Sequence, residues 1–399
     1  MTFKKSKKKS KSVFAFFSKM STKQILLILG VVSFLLYSNT LGHDFTLDDA
    51  IVITDNVLIK KGFLGIPDLL THDSFFGFFQ EEGKDRLVQG GRYRPLSLIL
   101  FAIIFQLFGA APFAFHLVNV LLFMACSILT YKFLDILLNK YLKREHARFL
   151  AFMASFLFAM HPIHTEVVAN VKSADELISY LLSVLAMILV FRANRVPISQ
   201  MILAGVLFFM ALLAKEIAVT FLGISTCIIL LLKAPPFRSH LIRLLPFAVS
   251  FALYMVIRLT VVGLDLGEQS VPRELMNNPF LKLEAGQYVE MTAMEKWPMI
   301  IRGLGMYIKL MFLPYPLTHD YYPRHPGIMH WSDWQVMISL SLLIISALVI
   351  LKFWKSRPIP VLALLIFFGG LFLTSNILFP IGTNLSERFL FLPSLGWCI

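Results

Sequence analysis

The chain has 399 residues, 57% hydrophobic and 15% charged, with a mean hydropathy of +0.73. These proportions exclude a soluble globular domain, and the net charge of +13 sits in short loops and one terminal tail, so it reads as membrane topology and not as nucleic-acid binding. Cys126, Cys227 and Cys398 all fall within apolar runs, so neither a disulfide framework nor a cysteine metal site is expected.

Residues 1–23 form a basic tail that precedes the apolar run 24–38. No small-x-small cleavage site precedes Asn39, so the run is expected to be an uncleaved anchor with a cytoplasmic amino terminus. Residues 41–93 then form an acidic external loop. The run 96–108 is too short to cross about 30 Å of hydrocarbon and is expected to lie in the interface. Residues 113–138 return to Lys140, Lys143, Arg144 and Arg148; residues 149–160 exit, and 175–191 come back to Arg192 and Arg195. The block 198–232 is interrupted by Lys215-Glu216 and is read as two spans joined by an outward turn, which leaves Lys233, Arg238 and Arg243 cytoplasmic.

Residues 246–262 exit again, completing a seven-span core over 24–263. Residues 264–333 are external, with Asn277-Asn278-Pro279 as a turn. Lys352, Lys355 and Arg357 fix the end of span 334–351 inside, so 299–313 is expected to be a re-entrant or surface helix. Within 334–399, residues 358–373 exit, 376–388 form an external loop, and 389–399 begin a span that is cut short, as expected for a fragment. No alternating strand pattern appears, so the expected fold is an all-α polytopic membrane protein.

On this topology the outer helix ends collect Asp48, Asp49, Arg94, His116, His161, His164, Glu166, Lys172, Asp175, Glu176, Lys215, Glu216, Asp320, Glu387 and Arg388. Positive-inside bias accounts for the cytoplasmic cations but not for acids and bases gathered near hydrocarbon on the other side. The stretch Phe45-Thr46-Leu47-Asp48-Asp49-Ala50 sets two carboxylates just outside the first span, a suitable place for a base. Plainer roles compete with this. An acid pair after a span also serves as a helix cap. His161-Pro162-Ile163-His164 is no zinc pattern and suits hydrogen bonding at a helix end. His116 suits a packed core position, and Glu216 suits a charge partner for Lys215.

Several segments carry a family resemblance: Leu47-Asp48-Asp49-Ala50-Ile51, Tyr93-Arg94-Pro95-Leu96, Phe115-His116-Leu117-Val118-Asn119-Val120, His161-Pro162-Ile163-His164-Thr165-Glu166, Lys215-Glu216 and Ser386-Glu387-Arg388-Phe389-Leu390-Phe391-Leu392-Pro393-Ser394. In order and spacing they resemble the membrane half of the transmembrane and tetratricopeptide-repeat O-mannosyltransferases, of the C-type glycosyltransferase superfamily. Two features depart from that pattern. Lys172-Ser173-Ala174-Asp175 stands where the family has Gly-Arg-Ala-Asp, and the repeat region expected after the membrane part is not among these 399 residues.

The resemblance implies a C-type glycosyltransferase-like helical bundle with an acidic first external loop and interfacial helices. It also implies inverting transfer of a sugar, mannose, from a polyprenyl-phosphate donor to a hydroxyl acceptor, such as a Ser or Thr of an exported protein. Asp48 matches the family's first acidic position and is the expected base. Asp49, which points elsewhere, would orient the loop or bind acceptor or metal. Lys215, Arg388 and Arg94 would hold the donor phosphate, Lys215 foremost, within a polar pocket of His161, His164, Glu166, Asp175 and Glu216. No cofactor is required, although a divalent metal stays open; membrane lipid is a partner and nucleic acid is not. A bacterial inner membrane is favoured over the endoplasmic reticulum. The alternative is a transporter or flippase of lipid-linked sugars, which would place its charges near the bilayer midplane between two related halves.

Overall fold

The computed structural model describes residues 20–81, 92–193, 195–231, 237–263, 275, 278–319, 321, 325 and 327–399. Most of the lysine tail, residues 82–91 of the acidic loop, Lys233, Asn277 and Asp320 lie outside the described residues.

Twelve helices of eight residues or more are present among them: α1 Thr22–Tyr37, α2 Pro95–Phe108, α3 Pro112–Leu138, α4 Arg144–Met160, α5 Ala174–Phe191, α6 Ile198–Ala214, α7 Thr220–Leu231, α8 Phe237–Val262, α9 Ala293–Phe312, α10 Trp334–Phe353, α11 Pro358–Leu371 and α12 Phe391–Cys398. Five segments of the described residues are long and apolar enough to cross a membrane: Thr22–Gly42, Pro112–Leu138, Val171–Phe191, Leu241–Val262 and Trp334–Phe353. The architecture is an all-α, multi-pass membrane bundle, in which helices satisfy their own backbone groups within lipid.

Local sequence sets the helix ends. α1 opens on a capping box between Ser21 and Gln24. Proline occupies the first turn of α2, α3 and α11, where its missing N–H costs no hydrogen bond. Gly109, at φ 63, stops α2. The chain leaves α6 at Lys215 in extended backbone (φ −160, ψ 132) and re-forms helix through the turn Glu216–Val219. Two short apolar helices therefore meet at a charged joint.

The two ends of the bundle differ in charge. At one end Arg144 pairs with Asp135 at 3.1 Å, Arg148 donates to the Met20 carbonyl, and Arg243 donates to the Ala193 carbonyl at 3.1 Å. The opposite end gathers the loop after α1, the start of α5, the α6–α7 joint and the turn before α12. α9 is built into that second end: Met299, Leu304, Tyr307 and Leu310 pack with Ile163, Tyr321, Leu385 and Leu390. α2 underlies the loop in the same way, through Leu98, Phe101 and Ala102 against Val52, Ile53, Leu58 and Ile59.

One element departs from the helix-only expectation. β1 Leu281–Glu284 pairs antiparallel with β2 Gln287–Glu290. Its turn residues Ala285 and Gly286 both have positive φ, 49 and 81, the two-residue hairpin geometry that a period-two reading misses in so short a stretch.

α11 and α12 cross at backbone distance over Gly396, where an added Cβ would stand 2.4 Å from the Ala363 carbonyl oxygen and 2.6 Å from the Phe367 nitrogen. Gly396→Val is expected to force the helices apart and to cost about 1–3 kcal/mol. A lowered midpoint of thermal unfolding in detergent would register it, and an unchanged midpoint would refute the close crossing.

Candidate active site

The loop that presents Asp48 is held by its neighbour. Asp49 accepts the Thr46 amide on Oδ2 at 2.9 Å and the Lys172 amide on Oδ1 at 2.9 Å, while its own N–H donates to the Thr46 carbonyl at 3.0 Å. Both carboxylate oxygens are thus engaged by backbone. Burial pushes the Asp49 pKa up, against the pull of those two hydrogen bonds. The residue is 1% exposed, so Asp49 fastens the loop to the segment before α5 and does not face a ligand. Leu47 sits at φ 50, a left-handed conformation unusual for leucine.

Asp48 turns the other way, into a cavity of about 460 Å³, within the size range of ligand sites. Its Oδ2 lies 3.1 Å from Lys172 Nζ. Lys172 holds the Asp48 carboxyl below the usual carboxylate range, and Arg388 and Arg92 add to the effect. The same cavity is lined by Arg92, Arg94, Lys172, Lys215 and Arg388, and among the described residues only Asp48 and Glu216 line it as carboxylates. Its remaining wall is largely apolar, with Ile51, Val52, Phe75, Ile217, Leu373 and Phe379.

These five cations are not equivalent. Lys215 Nζ lies 3.1 Å from Asp175 Oδ1 and 2.7 Å from Glu176 Oε1, and all three side chains are buried. Arg94 bridges Asp175, Nη1 to Oδ2 at 2.8 Å, and Glu216, Nε to Oε2 at 2.8 Å with a second contact through Nη2. Glu216 is therefore the partner of Arg94, which corrects the expected pairing with Lys215. The reason is geometric: the planar guanidinium grips Glu216 at two points, while Lys215 reaches back to the acids of α5. Two cations and three carboxylates thus form one network in which the acids outnumber the bases, and Arg94, Lys215 and Glu216 bring it to the cavity lining.

Around Asp48, where Lys172, Arg388 and Arg92 gather, the balance reverses. Arg388 Nη1 pairs with Glu166 Oε1 at 3.2 Å, and Glu166 also accepts the Arg388 amide at 2.7 Å and the Ser386 hydroxyl at 3.3 Å. Glu166 thus sets the position of Arg388 without lining this cavity. Arg92 lies over the Phe75 ring at 5.3 Å; burial, then the neighbouring Arg94 and Arg388, push it down to about 10, still charged at neutral pH.

Neither histidine of the His-Pro-x-His stretch reaches the cavity. His161 packs at 5.1 Å against the Trp397 ring, with Nε2 3.1 Å from the Met311 carbonyl and Nδ1 accepting the Ile163 amide at 3.2 Å. His164 is fully buried beside Phe158, with Nε2 2.9 Å from Ser394 Oγ. Both fasten the turn after α4 to α9 and α12. His116 is buried in α3, its ring 6.0 Å from that of His43. Among the described residues no group of three or more His, Cys, Asp or Glu side chains is arranged to hold a metal ion, and Asp48 and Asp49 diverge, so this acid pair is not a chelate.

The sequence alone assigns no role at the site to Lys172, Arg92 or Glu176. Lys172 reads there as a departure from a motif, and Arg92 as one more loop charge. The usable signal is that Lys172 lies in the turn Val171–Ser173 that leads into α5, whose Asp175 and Glu176 meet Lys215.

The chain is 26% identical over 384 residues to protein O-mannosyl-transferase F38B6.6 of Caenorhabditis elegans, a match covering 94% of this chain and 50% of that protein. It is 25% identical over 424 residues to protein O-mannosyl-transferase TMTC3 of Homo sapiens, 95% of this chain and 42% of the relative. With protein O-mannosyl-transferase TMTC4 of Mus musculus the figures are 26% over 422 residues, 94% and 54%. The chain spans about half the length of these relatives. No protein-family model matches it, and no solved structure does. By sequence, then, the chain is a distant homologue of the TMTC-family O-mannosyltransferases.

Proposed function

We propose that this chain is the membrane part of an inverting glycosyltransferase. It would move a sugar, mannose by analogy with its relatives' names, from a polyprenyl phosphate to the hydroxyl of a Ser or Thr in a protein. One observation carries the reading: Asp48 faces a cavity that Lys172, Arg388 and Arg92 also line and whose remaining wall is largely apolar. A polyprenyl-phosphate sugar needs a cation cluster for its head and a hydrocarbon surface for its tail.

The chemistry follows from charge. The donor phosphodiester carries one negative charge and the departing polyprenyl phosphate carries two. The added charge appears as the bond from anomeric carbon to phosphate oxygen breaks, and fixed cations favour that state over the bound donor. The acceptor oxygen bonds to the anomeric carbon from the opposite face while its proton passes to Asp48. The leaving phosphate needs no proton, so one carboxylate suffices. Lys172 is placed to serve both partners: it pairs with Asp48, and an incoming phosphate competes for it, which would raise the basicity of Asp48 when the donor is bound.

The basic end of the bundle suits the cytoplasm by the positive-inside rule, which puts the cavity on the opposite face. A transporter would hold its charges near mid-membrane, whereas these lie where the helices end.

Purified protein incubated with a panel of lipid-linked monosaccharides, with and without chelator, tests the assignment. Transfer from a polyprenyl-phosphate sugar to a Ser/Thr peptide is expected; failure with every donor would overturn the proposal. The acid limb offers a sharper check. Asp48 must be ionised, and Lys172 is the largest influence lowering its pKa, so Lys172→Gln should move the acid limb of kcat/KM to higher pH. An acid limb at the same pH in wild type and variant would separate Asp48 from Lys172.

A further inference from the structure

The wall that carries Asp48 has another side. Leu47, Thr46, His43 and Asp44 line a second cavity, of about 520 Å³, together with Glu166, His319 and Glu387. The two cavities are set back to back by consecutive residues. Leu47 belongs to the second and Asp48 to the first; Glu387 belongs to the second and Arg388 to the first. The Glu166–Arg388 ion pair ties one lining to the other at 3.2 Å. The left-handed backbone at Leu47 sits at this partition, a conformation that persists where the surrounding structure holds it and that clusters at functional sites.

Their charges are opposite. The first cavity has five Lys or Arg side chains against two carboxylates, while among the described residues the second is lined by three carboxylates, Asp44, Glu166 and Glu387, and by no Lys or Arg. Arg388 already neutralises Glu166. Glu387 Oε1 accepts the Thr318 amide at 2.6 Å and the Tyr321 hydroxyl at 3.0 Å, both neutral donors. Asp44 is exposed on the rim. A polyprenyl phosphate is therefore repelled from the cleft that adjoins the base on its other side.

We infer that this second cavity is the acceptor cleft and that it takes an extended Ser- or Thr-bearing segment with neutral or basic flanks, discriminating against acidic ones. The inference rests on the sugar-transfer reading above and adds to it the substrate's charge. On this reading the second cavity holds the flanks of the segment while its Ser or Thr crosses the Leu47–Asp48 wall to the carboxylate, so donor and acceptor are sorted by charge before they meet at Asp48.

Binding distinguishes this from the parent proposal without requiring turnover. Two labelled peptides with one central Ser, flanked on both sides by Lys or by Glu, are titrated into the purified full chain, and polyprenyl phosphate is titrated separately. The Lys-flanked peptide is expected to bind about tenfold tighter. Asp44→Lys, and independently His319→Lys on another loop of the cleft, should erase that preference and leave polyprenyl-phosphate affinity unchanged. Equal binding of the two peptides by wild type, or a preference that survives both variants, overturns the acceptor cleft. Loss of polyprenyl-phosphate binding in wild type, with the peptide preference intact, instead overturns the donor assignment alone.

Discussion

Asp48→Asn is expected to lower sugar transfer by about 10²- to 10⁴-fold, the usual contribution of a positioned general base, while donor binding is kept or strengthened. The second half of that expectation is the more telling. In the native site the Asp48 carboxylate occupies Lys172 Nζ at 3.1 Å. Replacing it by a neutral amide leaves that ammonium free for a phosphate, so the variant should bind polyprenyl phosphate at least as well as wild type. Asp49→Asn would act differently, because both Asp49 oxygens accept backbone amides. Its amide nitrogen cannot accept, so the loop itself should loosen and donor and acceptor affinities should fall together. Single-turnover transfer and equilibrium donor binding, measured on the same preparations, separate the two. Transfer undiminished in Asp48→Asn would remove the base assignment.

Much of this site is legible in the sequence because membrane topology is a coarse and strong constraint. Apolar run lengths and the positions of Lys and Arg bring residues 48, 94, 215 and 388 toward one end of a bundle, and the structure sets all four around one cavity. What composition and spacing do not encode is which acid meets which base. Asp175, Glu176 and Glu216 all lie close to Lys215 and Arg94, and the partition among them depends on side-chain reach: a forked guanidinium entering from the start of α2 and a flexible ammonium from the end of α6. The histidines follow the plainer of their two readings, hydrogen bonding at a helix end. A His-Pro-x-His stretch beside a glutamate reads as a polar pocket, yet His161 and His164 point into the packing of Trp397, Phe158 and Ser394 while Glu166 alone reaches the cations. Lys172 is hidden when it is judged against a pattern. What sets it apart is its place beside Asp48, 3.1 Å from Nζ to Oδ2, which no local motif records.

That division of the cations leads to the second large effect. Lys215→Met should act on folding, not on donor affinity. Lys215, Asp175 and Glu176 are 7%, 4% and 6% exposed in their side chains, and removing one partner from a buried set leaves carboxylates uncompensated, at a cost of about 3–5 kcal/mol. Asp175 retains Arg94 at 2.8 Å, so the unmet charge falls mainly on Glu176, whose ion pair among the described residues is with Lys215. Glu176→Gln in the Lys215→Met background should therefore recover much of the loss, a coupling that a double-mutant cycle on thermal unfolding in detergent reads directly. Lys172→Gln, by contrast, removes a cation whose partner Asp48 is 45% exposed in its side chain, so it should weaken polyprenyl-phosphate binding with far less effect on unfolding. Were Lys215→Met to melt like wild type while losing donor affinity, the buried cluster would be the phosphate site, and Lys172 and Lys215 would have to exchange roles.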